Sequence, residues 1–460
     1  MADSNHVTII GGGFSGLACA YRLKELRLPV TLLEASDRVG GLVGTVRKDG
    51  FLFESGPQSF LGTEEILDLI TRLGIAGELQ EADPHSPRFI LRHGRLQKVP
   101  LSPPGLLTSP LLGARSRWNI VSEPFRQTKP PDDEETIADF VRRKFGHEIL
   151  EYLVAPFVSG VYAGDPEKLS LRAAFPSLEE WEREHGSVLR GAIKSRPAKG
   201  KRKGPPPLCS FQSGVELLIR ALSENLKESI QTKTQVISIR RSGSTERGSY
   251  ELRIMRDGRD ETLPAETVIL ATPAYAASHL VDSISASLAQ ALSGIAYAPV
   301  AVVAAGYYEK QVRKSVNGFG FLVPRGERIR TLGTVWNSSL FPGRAPESMA
   351  ELTSFVGGAT DPGVVGKSEK EIETIVLKEN ARIMEIEGLP TATCVWKHAK
   401  ALPQYNLGHG HIIKLIRDAE REIPGLFFAG NYLEGPSLGK CVEQAFKTAD
   451  AVHNYLNSPS

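Results

Sequence analysis

A glycine-rich turn near the start of the chain has the residue types and spacing to hold a phosphate. Gly11, Gly13 and Gly16 lie between an apolar run and a helical pattern. Glycines at this spacing let the backbone turn sharply and approach a pyrophosphate, which then meets the free N–H groups of a helix N-terminus. Glu34 ends a second apolar run about twenty residues further on, where a carboxylate accepts hydrogen bonds from a ribose. This unit predicts dinucleotide binding and leaves NAD and FAD both open.

Two further segments resemble the flavin motifs of the amine-oxidase superfamily and favour FAD. Residues 38–41 follow the acid directly, and the glycine pair there lets the chain pass close to a long ligand. Residues 425–431 are typical of a buried strand that ends in a polar turn, and residues 435–443 lead into an alanine-rich helix. The two ends of the chain are therefore expected to build one site for non-covalently bound FAD, because Cys441 is better explained as a small buried thiol than as an attachment point.

The residues predicted to contact FAD come from both ends of the chain and from one position in its middle. They are Gly11, Gly12, Gly13, Phe14, Ser15, Gly16, Glu34, Ala35, Arg38, Gly40, Gly41, Gly56, Pro57, Gln58, Ser59, Val236, Ala429, Gly430, Asn431, Pro436, Ser437 and Leu438.

Composition narrows the class of protein. The chain has 460 residues, 41% hydrophobic and 23% charged, which is typical of a globular protein of two or three domains. A formal net charge of +2 argues against a nucleic-acid partner. The four cysteines show no Cys-x-x-Cys spacing, so neither disulfides nor a metal site are expected, and a reducing compartment fits.

The first strand begins too early for a targeting peptide, and no stretch approaches the ~20 apolar residues of a spanning helix, so we expect a cytoplasmic protein.

The order of predicted elements indicates an α/β protein, α+β overall, with a Rossmann-like FAD-binding domain built from discontinuous segments. A substrate domain with a mixed β-sheet and a helical insert complete the chain. The predicted segments are 1–85, 208–273 and 423–460 for the FAD-binding domain, 86–100 and 274–422 for the substrate domain, and 101–207 for the helical insert.

Local patterns also predict individual elements. The His93-Gly94 pair is suited to a tight turn between two strands. Apolar periodicity and breaker residues define the rest. The predicted elements are helices over 16–27 and 63–73, a hairpin of 88–92 with 95–99, a helix that opens within 211–216, a strand over 235–239 and a helix over 444–455.

Residues 155–176 resemble the signature segment of the protoporphyrinogen oxidases, a family within the amine-oxidase superfamily. The run begins Ala155-Pro156-Phe157-Val158 and closes with the segment 173–176. Further matching segments are spread along the whole chain, at 54–59, 318–324, 341–346, 355–358, 403–405 and 408–409. Two features of the chain depart from the family's pattern: the acidic residue Glu434 and the basic run 201–203.

The resemblance implies a six-electron oxidation of protoporphyrinogen IX to protoporphyrin IX in heme biosynthesis, with O2 as acceptor and H2O2 formed. The flavin would accept the hydrides, so little chemistry is required of side chains. The sequence agrees, because no Ser/His/Asp set, paired carboxylates or metal cluster stands out. The positions that match the family's substrate-binding residues are Arg88 for a propionate, Gly160 at the pocket wall, and Leu322 and Phe355 against the macrocycle.

Two other functions stay open at this stage. A coproporphyrinogen III oxidase of the same family acts on four propionates instead of two, so its pocket should be more open and carry more cations. A flavin-bearing porphyrin carrier would bind porphyrin without catalysis. An amine oxidase is disfavoured, because the aromatic pair that usually flanks the flavin is not recognisable around Asn431-Tyr432.

The resemblance also implies a homodimer and handover of the product to ferrochelatase.

Two segments are candidates for contact with a membrane surface, and we expect that contact to be peripheral, on the inner face of the cell membrane. The apolar run 101–112 is broken by prolines, and its alternative is a buried loop. The basic run 195–207 would meet anionic headgroups, and its alternative is a solvated loop.

Overall fold

The computed structural model describes residues 5–100, 103–126, 131, 133–195, 206–243 and 248–458. The described residues contain twenty strands, numbered here along the chain: β1 Val7–Ile10, β2 Val30–Leu33, β3 Thr45–Lys48, β4 Phe51–Glu54, β5 Phe60–Leu61, β6 Leu79–Glu81, β7 Arg88–Arg92, β8 Arg95–Val99, β9 Leu208–Phe211, β10 Ile230–Gln231, β11 Thr234–Arg241, β12 Tyr250–Arg256, β13 Arg259–Ala265, β14 Thr267–Leu270, β15 Tyr297–Tyr308, β16 Gly320–Leu322, β17 Thr331–Val335, β18 Met349–Gly357, β19 Ala392–Pro403 and β20 Leu426–Phe428.

The same described residues form seventeen α-helices: α1 Phe14–Glu25, α2 Glu64–Arg72, α3 Pro103–Thr108, α4 Ala114–Ser122, α5 Ile137–Lys144, α6 His147–Ile149, α7 Ala155–Tyr162, α8 Leu171–Ala174, α9 Pro176–His185, α10 Val188–Lys194, α11 Glu216–Asn225, α12 Ala274–Val281, α13 Ala286–Ser293, α14 Asn337–Leu340, α15 Glu369–Met384, α16 His409–Glu422 and α17 Leu438–Asn457. Short 3₁₀ segments occur at Ala76–Glu78, Glu123–Phe125, Glu309–Gln311, Arg325–Glu327 and Pro362–Gly366, and a π-helical turn at Leu150–Val154 leads into α7.

A five-stranded parallel sheet in the order β10-β2-β1-β14-β20 forms the cofactor side of the protein. Ile9 of β1 lies opposite Leu32 of β2 and Ile269 of β14, and these side chains pack against α1 and α17. The alternate residues, such as Ile10, face α12 and α13. Helices cover both faces, which is why these short strands are almost entirely apolar. The sequence prediction of a Rossmann-like unit is confirmed.

A seven-stranded mixed sheet in the order β19-β15-β18-β17-β16-β7-β8 forms the other large layer. Its neighbours are antiparallel except β16 and β7, which run parallel with Gly320 opposite Arg88. The predicted hairpin is confirmed as β7 and β8, and its turn places His93 and Gly94 at positive φ. One face of the sheet packs against α15, so the other face is left to line a cavity.

The helices between β8 and β9 share a separate apolar core. Leu111 and Leu112 are 0% and 2% exposed within it. The expectation that the run 101–112 contacts a membrane is therefore wrong for these two leucines, because the helical core covers them. The predicted basic loop lies mostly outside the described residues, at 196–205. No helix in the described part of the chain has the length and apolar character needed to cross a bilayer.

The segment 211–216 does open a helix as predicted, but only at its last residue, and one other predicted helix start is wrong. Phe211 ends strand β9, which pairs with β5 and β6, because its side chain fills the core there, and helix α11 begins only at Glu216. Helix α17 begins at Leu438 instead of residue 444, because the Ser437 hydroxyl accepts a hydrogen bond from the Lys440 N–H and caps the first turn.

A buried ion pair joins the connection before β18 to the smaller sheets. Arg344, which precedes β18, and Glu54, at the end of β4, are each 1% exposed, and Arg344 Nη1 lies 2.5 Å from Glu54 Oε1. Arg344 also donates to Ser210 of β9. Glu54 accepts further hydrogen bonds from the Thr45 hydroxyl and the Val215 N–H. Burial raises the pKa of Glu54, and the Arg344 charge opposes that rise.

We expect Arg344→Met to lower the free energy of unfolding by about 3–5 kcal/mol, because it leaves the Glu54 carboxylate buried without its partner. The loss should be larger at pH 8 than at pH 5, since a carboxyl whose pKa is raised in the folded state loses stability as the pH rises through that pKa. Urea unfolding followed by circular dichroism measures both. The control is Arg253→Met, which breaks the exposed pair with Asp260. Equal effects of the two variants would contradict the prediction.

Candidate active site

A cavity of about 1400 Å³ lies at the carboxyl ends of the parallel strands. Gly11 follows β1, Glu34 follows β2 and Ala271 follows β14, and all three line the cavity. Gly430, just beyond β20, lines it as well. Open α/β sheets bind ligands at this edge. Both ends of the chain therefore contribute to one wall.

The glycine turn is shaped by close backbone contacts. Gly11 has a φ of +108°, a conformation that glycine adopts readily. A Cβ on Gly16 would lie 2.0 Å from the Gly11 carbonyl oxygen, so only glycine lets α1 start directly under the turn. Gly13 precedes α1, and no protein atom lies within 4 Å of the position of a Cβ there. Gly13 thus leaves the approach to the helix N-terminus open.

Glu34 is held at this turn by the backbone. Its Oε2 accepts a hydrogen bond of 2.7 Å from the Gly12 N–H, and its Oε1 accepts one of 2.8 Å from the Ser36 N–H. The carboxylate therefore has a defined position at the end of β2, at the cavity wall. This arrangement suits a carboxylate that binds ribose hydroxyls.

The segment after Glu34, residues 38–43, crosses the cavity and is called the strap below. The Gly40 N–H donates to the Gly12 carbonyl, and Gly40 and Gly41 line the cavity at positive φ. The Arg38 guanidinium lies outside the lining and donates to the carbonyls of Gly41 and Val43. Arg38 therefore holds the strap in place from behind.

The far end of the cavity is apolar. One face of the mixed sheet lines it with Val300, Val302, Leu332, Val335 and Phe355, and Phe319 just before β16 lines it as well. Gly160 of α7 lines the cavity too, and a Cβ there would lie 2.7 Å from Leu322 Cδ2. Leu322 is therefore packed beside Gly160 and supports the wall. A flat apolar ligand fits such a face.

Arg88 stands beside this apolar end. Its guanidinium carbon lies 5.2 Å from the ring centroid of Phe319, which lines the cavity. The side chain is exposed, and none of the carboxylates in the described residues forms an ion pair with it. An unpaired guanidinium over an aromatic ring is suited to receive a ligand carboxylate in bidentate fashion.

A family model described as flavin containing amine oxidoreductase matches residues 14–453. The chain belongs to this family. It is an FAD-dependent oxidoreductase, and the glycine turn, the placed Glu34 carboxylate and the strap fit the length and the pyrophosphate of FAD.

Relatives in the amine oxidoreductase family match nearly the whole chain. The chain is 34% identical to the chloroplastic protoporphyrinogen oxidase of Oryza sativa subsp. japonica, over 97% of this chain and 88% of that one. It is 32% identical to the coproporphyrinogen III oxidase of Bacillus subtilis (strain 168), over 100% of both. A crystal structure from Exiguobacterium sp. 255-15, provisionally named a protoporphyrinogen oxidase, superposes with a TM-score of 0.82 at 27% identity, over 98% of this chain and 99% of that one.

Burial raises the pKa values of three tyrosines and one cysteine that line the cavity. It raises the pKa of Tyr162 to about 12 and that of Cys441 to about 11. It also raises the pKa values of Tyr297 and Tyr405. These four groups therefore stay protonated near neutral pH and do not act as bases. A thiol whose pKa is raised is also a poor nucleophile.

Most residues predicted to contact FAD line the cavity. They are Gly11, Gly13, Phe14, Ser15, Glu34, Ala35, Gly40, Gly41, Gly56, Pro57, Gln58, Ser59, Val236, Gly430, Asn431, Pro436, Ser437 and Leu438. The structure places the other four behind the wall. Gly12 donates to Glu34, Gly16 lies under the turn, Arg38 holds the strap, and Ala429 is fully buried in the core.

The predicted substrate residues divide in the same way. Gly160 and Phe355 line the cavity, whereas Leu322 packs behind Gly160 and Arg88 lies beside Phe319. Their roles toward a substrate stay predictions.

Several cavity residues were not identified from the sequence. Lys400 and His398 of β19 line the cavity, and Lys400 Nζ lies 4.1 Å from the ring centroid of Tyr275, which also lines it. His398 Nε2 lies 2.9 Å from the Ser55 carbonyl oxygen. The sequence did carry one signal for these residues: side chains alternate between the two faces of a strand, so residues 396, 398 and 400 share one face. That signal does not say which face meets a ligand.

We expect Gly13→Ala to raise the dissociation constant of FAD by at least about tenfold, a loss of about 1.4 kcal/mol. The new methyl group meets no protein atom within 4 Å, so it projects toward the cavity without disturbing the fold. Titration of the apo-protein with FAD measures the affinity, and the unfolding midpoint of the apo-protein should not change. The matched control is Gly77→Ala, at an exposed position that also has no atom within 4 Å. Unchanged FAD affinity in Gly13→Ala would refute the assignment of this wall.

Proposed function

We propose that the protein is a flavin-dependent oxidase that converts protoporphyrinogen IX to protoporphyrin IX in heme biosynthesis. Six electrons and six hydrogens leave the macrocycle in three rounds, and three O2 are reduced to three H2O2. The observation that carries this proposal is the single cavity that joins the glycine turn to the apolar face of the mixed sheet. The full-length similarity to protoporphyrinogen oxidases supports the same function.

The side chains act by shape and position in this proposal. When bound, FAD supplies the hydride acceptor and returns the electrons to O2. Val302 and Phe355 lie opposite each other on β15 and β18 and offer an apolar face to the ring. Gly160 leaves room for the ring edge, and Arg88 pairs with a propionate. The neutral tyrosines around the cavity add no competing charge.

Coproporphyrinogen III is the second candidate substrate. Lys400 and His398 line the cavity and Arg88 lies beside it, so several basic side chains are available near its surface. A substrate with four propionates would use more of them. The Bacillus subtilis relative, a coproporphyrinogen III oxidase, matches over the full length of both chains.

Parallel assays of both porphyrinogens test the proposal. Purified holoenzyme in air is given protoporphyrinogen IX or coproporphyrinogen III, and porphyrin fluorescence reports turnover. We expect a higher kcat/KM for protoporphyrinogen IX. A higher value for coproporphyrinogen III would select the second candidate. If the protein were only a carrier, a porphyrinogen added under anaerobic conditions would leave the flavin absorbance near 450 nm unbleached, whereas an oxidase would bleach it.

We expect Arg88→Ala to raise KM about tenfold and to change kcat little, because the lost contact binds the substrate without taking part in hydride transfer. Steady-state kinetics with the preferred porphyrinogen measure both constants. Arg95→Ala is the matched control, since Arg95 is an exposed arginine on the other strand of the same hairpin. Wild-type kinetics in Arg88→Ala would remove this residue from the substrate site.

We also propose that the helical insert contacts the anionic surface of a membrane. Trp118, Val121 and Phe125 are 68%, 45% and 79% exposed, and their spacing places them on one face of α4 and the turn after it. Ile193 of α10 is 63% exposed. The Arg190 guanidinium lies over the Phe125 ring, so positive charge borders the apolar side chains. Apolar side chains beside basic ones are typical of interfacial membrane contact.

The variant Phe125→Ser/Ile193→Ser should bind vesicles that contain anionic phosphatidylglycerol several-fold more weakly than the wild type, because it removes apolar insertion. Sedimentation with vesicles measures the bound fraction, and binding of the wild type should weaken at high salt. Leu389→Ser is the control, since Leu389 is 80% exposed on a different element. Equal binding by both variants would argue against this surface.

Three further proposals remain. A homodimer and handover of the porphyrin to ferrochelatase rest on the family resemblance. A cytoplasmic location with peripheral contact to the inner face of the cell membrane rests on the sequence expectations given above. Sedimentation velocity tests the first. Coupled assays with added ferrochelatase test the last.

A further inference from the structure

The loop after β20 is joined at the cavity to the segment that links β19 to α16. Gly430 and Asn431 of this loop, residues 429–433, line the cavity. The linking segment contributes Tyr405, which is 2% exposed and lines the cavity as well. The Tyr405 hydroxyl donates a hydrogen bond to the Asn431 carbonyl oxygen. One side chain therefore connects the end of the mixed sheet to the loop that follows the parallel sheet.

This hydrogen bond is the only one that the described residues provide to the Asn431 carbonyl oxygen. A carbonyl can only accept, so the phenol must be the donor. Burial raises the pKa of Tyr405, so the hydroxyl keeps its proton near neutral pH. Removal of the hydroxyl would leave this carbonyl without a donor from the protein.

The Tyr405 side chain has a fixed position of its own. The rings of Tyr162 and His409 pack against it at steep angles of 80° and 75°, with ring centroids 5.9 Å and 4.7 Å away. The Tyr405 carbonyl accepts a hydrogen bond of 2.8 Å from the Ser170 N–H. Gln404 Nε2 donates to the Tyr162 carbonyl over 2.9 Å. Both the backbone and the ring of Tyr405 are thus held, so its hydroxyl has a defined place.

The loop itself is tight, but it leaves one polar side chain available. The Ala429 N–H donates to the Leu270 carbonyl over 3.0 Å, and a Cβ on Gly430 would lie 2.6 Å from the Tyr432 ring. The Asn431 amide, in contrast, forms no hydrogen bond with any residue that the structure describes. An amide offers both donors and an acceptor to a ligand. The backbone of Asn431 is therefore fixed while its amide stays free for the cavity.

We propose that Tyr405 is a positioning residue that acts through Asn431. Its hydroxyl holds the Asn431 carbonyl, and the fixed backbone sets the place from which the Asn431 amide hydrogen-bonds to bound FAD. A side chain that binds a ligand must keep its position to within about 0.5 Å, which requires support from the residues behind it. Tyr405 supplies this support from the far side of the cavity, because it follows the edge strand of the mixed sheet.

Tyr405→Phe tests the hydroxyl and keeps the ring that packs between Tyr162 and His409. We expect the dissociation constant of FAD to rise about fivefold, the effect of about one lost hydrogen bond. The visible circular dichroism of the bound flavin should change as well. Release of FAD on dilution of the holoenzyme, followed by flavin fluorescence, measures the affinity without any substrate. Wild-type affinity together with a wild-type spectrum would overturn the proposal.

A double-mutant cycle tests whether Tyr405 acts through Asn431. Asn431→Ala removes the amide but keeps the carbonyl that Tyr405 holds, and it should raise the dissociation constant of FAD about tenfold. In this background Tyr405→Phe should add less than about twofold, because no amide is left to position. A further rise of about fivefold in the double variant, or an unchanged affinity in Asn431→Ala alone, would contradict this role of Tyr405.

Tyr250→Phe is the matched control for general stability. Tyr250 is 1% exposed, and its hydroxyl donates to the Pro424 carbonyl over 2.5 Å, shortly before β20 and away from the cavity wall. Both Tyr→Phe variants lose one buried hydrogen bond and should lower the unfolding midpoint, but only Tyr405→Phe should change FAD affinity. Equal losses of FAD affinity would refute the positioning role. These measurements involve FAD and no porphyrinogen, so failure of the proposed activity would leave them interpretable.

Discussion

The buried ion pair of Glu54 and Arg344 fixes the connection before β18 against the small sheets beside the cofactor cavity. Two opposite charges removed from water need each other and further hydrogen bonds. Glu54 accepts from Thr45 and Val215, and Arg344 reaches Ser210, so strands β3, β4 and β9 and the start of α11 converge on one point. The connection before β18 is fastened there, beside the loop at residues 56–59.

Because these elements are held together, one cavity can offer separate surfaces to two ligands. The carboxyl ends of the parallel strands supply backbone N–H groups and the Glu34 carboxylate, which suit a dinucleotide. The mixed sheet supplies apolar side chains such as Phe355, which suit a flat ring. The glycines at the turn and at residue 160 keep side chains out of the space between them. The chemistry of the site therefore depends more on the shape of the cavity than on reactive side chains.

Most of the side chains that line this cavity are uncharged. Burial raises the pKa values of Tyr162 and Cys441 further above their ordinary values, so both stay protonated near neutral pH. The basic side chains Arg88 and Lys400 stay at exposed positions, where hydration lowers the cost of an unpaired charge. A cavity of this kind suits a neutral macrocycle with acidic substituents at its edge, with electron transfer left to the flavin.

The glycine turn, Glu34, the β7–β8 hairpin and the family could be predicted from the residues alone, because these depend on contacts between residues close along the chain or on segments with a fixed pattern. The burial of Leu111 and Leu112, the place of Lys400 and His398 at the cavity and the strand that contains Phe211 became known only from the folded chain. Folding also brings Asn337 and Gln58 together across a separation of 279 residues. Periodicity along a strand gives two faces but not their neighbours, so burial, the direction of hydrogen bonds and proton positions follow only from what packs against each face.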